Sequence, residues 1–398
     1  MALNVVNVTK TCNICGASEL EEVFNTRDMP LTGLYLNSPS KDKKLCNDQA
    51  LLQCELCGHG QLKNIIDPRD LYDSSYTHRS TESSISSSGN DFFYKYLTEI
   101  THGKTDFKSI LEIGCNDLVL IKRIQELGAK ITGIDPIWIN KDFSFNAKTE
   151  VIGCFVDDLS QRLDTNFRPD LILSAHTFEH VDRTFEQFSK LVEFAADDCL
   201  FLIEMPSFDT LLKTSRFDQV FHQHLQYIGL HSMVSLIDRL GCEYVSHTYN
   251  HDYWGGTLLF AFRKNKLSVR ANNPAFKFTY ASETASKFSN FKKKLSQDVE
   301  LLIGLKEPIY GFGAAQMLPM LAHHLSSDFS FFQGIIDDNI ARVGTYLPSI
   351  SCPIISSASV GNLNEAVCLI TAIDSSRPIM KRLLELQPRR IAQLFPLI

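Results

Sequence analysis

The sequence lacks any run of about 20 uninterrupted apolar residues, the length that a helix needs to cross a bilayer. Its first residues, Met1 to Val5, lack the charged segment and long apolar run of a secretory signal peptide. It also lacks an excess of basic residues, because 39 Lys+Arg stand against 46 Asp+Glu and give a formal net charge of −7. These absences argue against a nucleic-acid binder or a membrane binder and predict a cytoplasmic protein.

What is present is an ordinary globular composition, 44% hydrophobic and 21% charged over 398 residues, enough for two to four domains. The first seventy residues show little periodicity, which predicts a small, loop-rich region, whereas strand-like runs alternate with amphipathic helices from about residue 92 and again from about residue 308. The first of these blocks includes predicted strands over Ser109–Gly114, Lys130–Asp135 and Tyr253–Phe262 and a predicted helix over Leu118–Leu127. This alternation predicts an α/β fold with mainly parallel, Rossmann-like sheets, and a charged helix over Ser282–Asp298 links the two blocks. We expect a zinc-binding domain over residues 1–75, a cofactor-binding domain over 76–270 and a further α/β domain over 271–398.

Five of the eleven cysteines fall in the first sixty residues, and four of them form the pairs Cys12-x-x-Cys15 and Cys54-x-x-Cys57, each followed by glycine. In a reducing compartment such pairs favour metal ligands over disulfides, and four thiolates suit a closed tetrahedral zinc site. A closed site leaves no position for chemistry, so we expect the Zn²⁺ to be structural. A redox role for the pairs stays open, as does a swap of one ligand for Cys46.

A serine-rich segment, from Asp73 to Gly89, follows the cysteines. It is either a flexible linker or an ordered loop beside a site, because Tyr76 and other polar aromatic and basic residues are interleaved with the serines.

The segment from Glu112 to Asp117 lies between a strand and a helix, and Asp135 ends the next strand. The spacing suits an acid on a ribose in a nucleotide-type fold, but the GxGxxG dinucleotide fingerprint is absent. The loop instead resembles motif I of class I S-adenosylmethionine (SAM) methyltransferases. That resemblance implies that Glu112, Gly114, Asn116 and Asp135 hold the methionine and ribose parts of SAM. The alternative is an ordinary strand–helix turn.

The turn from Gly153 to Asp158 lies where such folds place residues that contact adenine. Phe155 is then expected to stack on the base, with Asp157 or Cys154 nearby. A surface turn with one buried phenylalanine explains the same pattern.

Histidines concentrate in two segments, Ser174–His180 and Phe217–Tyr227. Histidine has an unperturbed pKa near neutrality, so such a cluster can supply a general base. The pair His222 and His224 is also spaced to hold a metal, although no third ligand has an obvious spacing to it.

Nearly the whole chain resembles the three-domain, SAM-dependent sugar C-methyltransferases, which act on nucleotide-linked 4-ketosugars. The resemblance is carried, in order, by the cysteine pairs, Pro30-Leu31, the serine-rich loop, Glu112–Asp117, Glu179-His180, Phe217-Asp218-x-x-x-His222-x-His224-Leu225-x-Tyr227, Gly255-Gly256, Gly311-Phe-Gly313-Ala and Asp337-Asp338-Asn339.

The resemblance implies that His224 removes a proton from the carbon beside the ketone, with carbon 3 the family expectation. It implies that His180 and Tyr76 hold the substrate or stabilise the enolate oxygen, and that His222 supports them. Three residues depart from the family pattern: the usual Tyr-His-Glu-His reads Phe221-His222-Gln223-His224, and Leu118 replaces a frequent glycine. Because Gln223 cannot ionise, it can only orient neighbouring groups.

Three rival functions remain at this stage. One is SAM-dependent methylation of oxygen or nitrogen on a nucleotide sugar, and a second is a non-catalytic, zinc-stapled nucleotide-sugar binding protein. The third is an oxidoreductase that uses the Gly311-x-Gly313 loop, but this motif is too short to be strong evidence for that function. The sequence predicts neither the particular sugar nor the oligomeric state.

Overall fold

The computed structural model describes residues 5–40, 42, 45–67, 71, 84–141, 143–164, 166–265 and 272–395. Its strands are, in chain order, β1 Val5–Val8, β2 Leu20–Pro30, β3 Cys46–Cys54, β4 Gly60–Leu62, β5 Asn64–Ile66, β6 Ser109–Ile113, β7 Lys130–Ile134, β8 Phe143–Asn146, β9 Thr149–Ile152, β10 Leu171–Ala175, β11 Leu200–Pro206, β12 Gln226–Tyr227, β13 Cys242–Asn250, β14 Thr257–Lys264, β15 Ile309–Phe312, β16 Phe332–Ile336, β17 Ile354–Ile355, β18 Val367–Ile370 and β19 Arg390–Gln393. Its α-helices are α1 Ser84–Ile100, α2 Val119–Ile124, α3 Leu159–Arg162, α4 Thr184–Phe194, α5 Phe208–Thr214, α6 Leu230–Leu240, α7 Ala281–Gly304, α8 Leu318–Leu325 and α9 Ser376–Leu386. Among these residues, no helix combines the length and apolarity that crossing a membrane requires.

The described residues among the first seventy form antiparallel sheets, so the expectation of a loop-rich region is wrong. Strands β2, β3 and β4 pair in sequence, and β12 from the middle of the chain adds to the edge at β4. Strand β3 is buried at every residue from Gln49 to Cys54, because other parts of the chain cover both of its faces. A strand buried on both faces does not alternate in hydrophobicity, which is why periodicity missed it.

The central sheet has the order β13-β14-β11-β10-β6-β7-β9-β8. Strands β6, β7, β9, β10 and β11 are parallel, β14 runs antiparallel to β11, and β13 runs antiparallel to β14. The strand order reverses between β6 and β10. Ligands of open α/β sheets bind in the crevice at the carboxyl ends of the strands beside such a reversal.

The last part of the chain forms a parallel sheet of order β17-β16-β15-β18-β19. Helix α7 precedes it and packs against β2 and α8, over a longer range than the predicted Ser282–Asp298. Together with the cysteine-rich region, these two sheets confirm the predicted α/β fold class.

Two predicted elements near the crevice begin later than expected. The helix predicted from Leu118 to Leu127 begins at Val119 and gives way to a 3₁₀ turn at Gln125. The strand predicted from Tyr253 begins at Thr257, because Gly255 and Gly256 have φ of +75° and +111° and form a turn.

A buried ionic cluster connects the central and final parts of the chain. Arg216 is 2% exposed and donates two hydrogen bonds to Asp218, of 2.8 and 2.9 Å, and one of 2.8 Å to Asp374. Asp374 belongs to the final α/β part, whereas Asp218 begins the segment that carries His224. The final part therefore helps to hold this histidine segment.

Candidate functional site

Cys12, Cys15, Cys54 and Cys57 come together in one cluster, with their sulfurs within 4.8 Å of one another. The Cys12–Cys57 and Cys15–Cys54 sulfurs are 3.6 and 3.5 Å apart. Zn–S bonds of about 2.3 Å in a tetrahedron place sulfurs about 3.8 Å apart, so the donor set fits zinc.

The two cysteine turns have the same backbone design. The glycine after each pair, Gly16 and Gly58, has φ of +81° and +72°, and its N–H donates to the carbonyl of the first cysteine of the pair at 2.9 Å. Cys46, at the start of β3, lies outside the metal cluster that the described residues form, so the structure does not favour a ligand swap.

Gly114 directly follows β6, at the edge of the sheet where the crevice lies. Its φ is +79°, and a Cβ atom there would lie 1.8 Å from Oγ1 of Thr177, so no larger residue fits. Thr177 belongs to the segment that carries Glu179 and His180. The methyltransferase-like loop and the first histidine segment are therefore in direct contact.

Two buried oxygens beside Gly114 accept no hydrogen bond within the described part of the chain: Oε2 of Glu112 and Oδ1 of Asn116. Burial and the neighbouring Asp135 raise the pKa of Glu112 to about 8. Orphaned acceptors of this kind suit a ligand that brings an ammonium group and hydroxyl groups, as SAM does.

Asp135 lies at the carboxyl end of β7, on the other side of the loop. Its two oxygens accept hydrogen bonds from the N–H groups of Asn116 and Ile137, both at 2.9 Å. The carboxylate thus ties the Glu112–Asp117 loop to β7. Sequence reasoning missed Trp138, whose indole N–H donates to the Asn116 carbonyl at 2.7 Å, because no motif marks it.

The turn at Phe155 and Asp157 is half-buried. Asp157 accepts a hydrogen bond from Gln187 of α4 and lies 3.7 Å from Arg183, and its burial raises its pKa. Gly153 allows the chain to pass Trp138, since a Cβ atom there would lie 2.2 Å from the Trp138 carbonyl. The three loops after β6, β7 and β9 therefore meet, as a shared cofactor site requires.

The structure brings three of the four predicted histidines around one carboxylate. Glu179 is 2% exposed, and its Oε1 lies 3.2 Å from Nδ1 of His176 and 3.8 Å from Nε2 of His180. The rings of His180 and His224 are 4.9 Å apart. One nitrogen of each of these two rings and one Glu179 oxygen all lie within 4.8 Å of one another, close enough to share one bound group.

His222 points away from this cluster. Its Nε2 donates to the carbonyl of Met29 at 2.8 Å, and burial lowers its pKa to about 4. His222 and His224 therefore do not chelate one metal, because the turn from Phe221 to His224 directs their rings to different partners.

Burial dominates the electrostatics of the cluster. Burial, together with His180, lowers the pKa of His224 well below its usual value, while Glu179 opposes that shift. Burial alone would raise the pKa of Glu179, but His180 and His176 outweigh it and lower that pKa to about 2. Glu179 is thus an ionised carboxylate, and His224 is a neutral ring.

The zinc-binding region holds the histidine segment at several points. Gln223 accepts from the Thr32 hydroxyl and donates to the Thr32 carbonyl, both at 3.1 Å. Gln226 pairs with Gln61 in the sheet and accepts from the ring of His59 at 2.8 Å. Sequence reasoning missed these anchors, since they join residues more than 150 positions apart.

Tyr76, the remaining predicted site residue, lies outside the described residues. Leu118 has φ of +69°, in the left-handed region that glycine favours. Leucine therefore keeps the backbone path that the family's glycine would take.

Residues 92–247 match the model of a methyltransferase domain family. The chain carries a methyltransferase domain. Residues 12–72 match the model of a zinc binding domain, which contains all four clustered cysteines. The topology of the methyltransferase domain and the polar atoms of its crevice fit SAM, and the cysteine cluster fits zinc.

The chain is 24% identical over 263 residues to the C-methyltransferase NovU of Streptomyces niveus, a match that covers 64% of this chain and 61% of that protein. The N-methyltransferase NodS from Bradyrhizobium japonicum WM9, solved with S-adenosylhomocysteine (SAH), has a TM-score of 0.37 at 14% identity and covers 50% of this chain and 96% of its own. The magnesium protoporphyrin IX methyltransferase ChlM from Synechocystis PCC 6803 has a TM-score of 0.35 at 10% identity and covers 46% and 85%.

Proposed function

We propose that the protein is a SAM-dependent C-methyltransferase that methylates carbon 3 of a nucleotide-linked 4-keto-deoxysugar. One observation carries the proposal: Thr177 fills the space against Gly114, and its own segment continues into Glu179 and His180. The candidate methyl-donor site and the acid–base cluster therefore share one crevice. The name of the relative NovU supports transfer to carbon, and the motif resemblance supports the ketosugar.

Glu112, Gly114, Asn116 and Asp135 would hold the cofactor, with Phe155 and Asp157 toward the adenine. When bound, SAM supplies an electrophilic methyl group on a positively charged sulfur. Because burial raises the pKa of Glu112 to about 8, a cationic ligand beside it favours the ionised carboxylate. Glu112 is thus a carboxyl group that ionises when the cofactor brings a positive charge beside it.

His224 acts as the general base. Its neutral ring would accept the proton of the carbon next to the ketone, and the C–H electron pair would form the enolate, the carbon nucleophile for the methyl group that SAM supplies when bound. A positioned base of this kind contributes about 10²–10⁴-fold to the rate.

The other residues orient the reactants. His180 donates its Nδ1–H to the Gln223 carbonyl at 2.7 Å, which fixes its ring beside His224, and it is proposed to hold the substrate or stabilise the enolate oxygen. Tyr76 is proposed for the same oxygen. Gln223 and His222 hold the segment through Thr32 and Met29 rather than taking part in proton transfer.

In this proposal residues 1–75 bind structural zinc, residues 76–270 bind SAM and residues 271–398 help to close the substrate cleft. The protein is proposed to act in the cytoplasm on a small nucleotide-linked substrate rather than on nucleic acid or membrane.

The deciding experiment is calorimetry of SAM and SAH with zinc-loaded protein, followed by incubation with nucleotide-linked 4-ketosugars. We expect micromolar binding, a product heavier by one methylene, and a carbon–carbon bond to the new methyl by NMR. Methylation on oxygen or nitrogen would contradict the carbon assignment. Absence of SAM binding would reject the enzyme in favour of a binding protein.

A further inference from the structure

Gln223 stands where the resemblance places a glutamate, and its side chain is fully engaged elsewhere. It accepts one hydrogen bond from Thr32 and donates another to the Thr32 carbonyl. An ionised glutamate at this position could not make the second bond, because a carboxylate is an acceptor only. The histidine segment therefore supplies no negative charge to His224 from position 223.

Glu179 is the carboxylate that the fold brings to the same ring. One of its oxygens and one nitrogen each of His180 and His224 lie within 4.8 Å of one another. Its side chain is 2% exposed, so water screens its charge weakly. Its backbone carbonyl also accepts from the N–H of Leu225 at 2.7 Å, which fixes the strand beside His224.

His180 lies next to both Glu179 and His224. The Gln223 carbonyl can only accept, so Nδ1 of His180 carries a proton and Nε2 faces the Glu179 carboxylate at 3.8 Å. A proton on Nε2 is stabilised by that carboxylate. The ring of His180 then meets the ring of His224 edge-on at 4.9 Å.

We propose that Glu179 is the positioning residue that sets the basicity of His224, the part that Gln223 cannot play in this chain. The carboxylate favours a proton on His224, and its backbone contact with Leu225 holds the His224 segment in place. The proposal rests on the proposed function only in that His224 takes a proton from the substrate.

The other titratable groups near Glu179 decide in which direction the pKa of His224 moves when the Glu179 charge is removed. His176 contacts Glu179 directly and shares its charge, while Glu204 of β11 accepts a hydrogen bond from Thr257 and has its pKa raised to about 7 by burial. The buried hydroxyl of Tyr253 has a pKa raised above its usual value, so it stays neutral. Removing the Glu179 charge must therefore lower the pKa of His224, because the remaining carboxylate, Glu204, is not in contact with that ring in the described residues.

The test compares Glu179→Gln with the matched control Glu186→Gln, which removes an exposed carboxylate of α4. Histidine-labelled, zinc-loaded protein is titrated by ¹³C NMR, with the His224 signal assigned by its loss in His224→Asn. We expect the His224 midpoint to fall by about one pH unit or more in Glu179→Gln, or to leave the measurable range at the acid end, and to stay in place in the control.

The pH profile of kcat/KM gives the second readout. We expect the plateau of Glu179→Gln to fall at least tenfold while its acid limb moves to lower pH, because a weaker base is deprotonated at lower pH yet accepts a proton less readily. A lower plateau with an unmoved limb and an unmoved His224 midpoint would overturn the proposal in favour of a purely structural role. If Glu179→Gln does not bind SAH, Glu179→Met, which also removes the charge, replaces it, and a His224 midpoint identical to that of the wild type would overturn the proposal.

Two further outcomes separate the role of Glu179 from the proposed function and from metal binding. A shifted His224 midpoint in a protein that methylates no ketosugar supports the role of Glu179 and rejects the proposed function, since NMR needs no turnover. A second equivalent of zinc or manganese that the wild type retains and Glu179→Gln loses would overturn the proposal, because a metal rather than a proton would then bridge the three side chains.

Discussion

The cysteine cluster and the histidine cluster are built in opposite ways. Each cysteine pair closes on itself through one tight turn, so the spacing C-x-x-C already fixes the positions of two ligands. The histidine cluster joins Glu179 and His180 to His224 from a separate segment, and the closely spaced His222 takes no part in it. Close spacing in sequence does not by itself bring two ligands together, because the turn from Phe221 to His224 directs His222 to Met29 and His224 to His180.

The two clusters are nevertheless connected. Strand β12 directly follows His224 and pairs with β4, which directly follows the second cysteine turn. His59 extends this connection by donating to Gln226. The zinc-binding region therefore holds the segment that carries the proposed base, so changes in either cluster are expected to affect the other.

The largest effect is expected from removing one cysteine of the proposed zinc site. Cys54→Ser should lose bound zinc and destabilise the protein by several kcal/mol, because the free energy of binding a structural metal is largely folding free energy. Metal analysis and thermal unfolding measure this, and methyl transfer should fall as β4 loses its order. Cys46→Ser is the matched control and should keep its zinc. Unchanged zinc in Cys54→Ser would remove that residue from the ligand set.

The second largest effect is expected from a substitution in the histidine cluster. His224→Asn should lower kcat by about 10²–10⁴-fold, the contribution of a general base, while leaving the Kd for SAH within about twofold. The control His102→Asn changes an exposed histidine with positive φ, a conformation that asparagine tolerates. Retained turnover in His224→Asn would reject this residue as the base.

A smaller effect is expected where the two sites touch. Gly114→Ala should weaken SAM binding at least tenfold, since its Cβ would meet Thr177 at 1.8 Å. Gly128→Ala is matched in backbone strain, with φ of +70°, but has no atom within 4 Å of its Cβ. It should cost about 1 kcal/mol of stability and leave calorimetric SAM affinity unchanged. Equal losses of affinity in both variants would show that strain, not the Thr177 contact, matters.

The smallest effect concerns the pH dependence of stability. His222 is buried as a neutral ring with a pKa lowered to about 4, whereas the unfolded chain binds a proton near pH 6.5. The unfolded state therefore binds more protons between these values, so stability falls as pH falls from about 6.5 to 4. Urea unfolding of His222→Asn should show a shallower decline than the wild type over this range. Parallel curves would mean that His222 does not contribute to it.

Much of this architecture could be predicted from local pattern. The strands around Ser109–Ile113 and Lys130–Ile134 were identifiable because parallel strands covered by helices are continuous apolar runs. The sheet of the first seventy residues was not, because its buried strand β3 packs against partners far along the chain. Likewise, no motif marks Thr177, whose role depends on the loop after β10 meeting the loop after β6.

The sequence by itself determined the two cysteine turns, the α/β alternation and the Glu112–Asp117 loop between a strand and a helix, since each depends on contacts within a turn or within one strand–helix unit. Only the tertiary structure decided that His222 leaves the site, that Gln223 binds Thr32 and that Glu179 meets His180 and His224. These outcomes depend on which segments the sheets bring side by side. Burial then decides their chemistry, because a charge that interacts weakly in water interacts strongly where water is excluded.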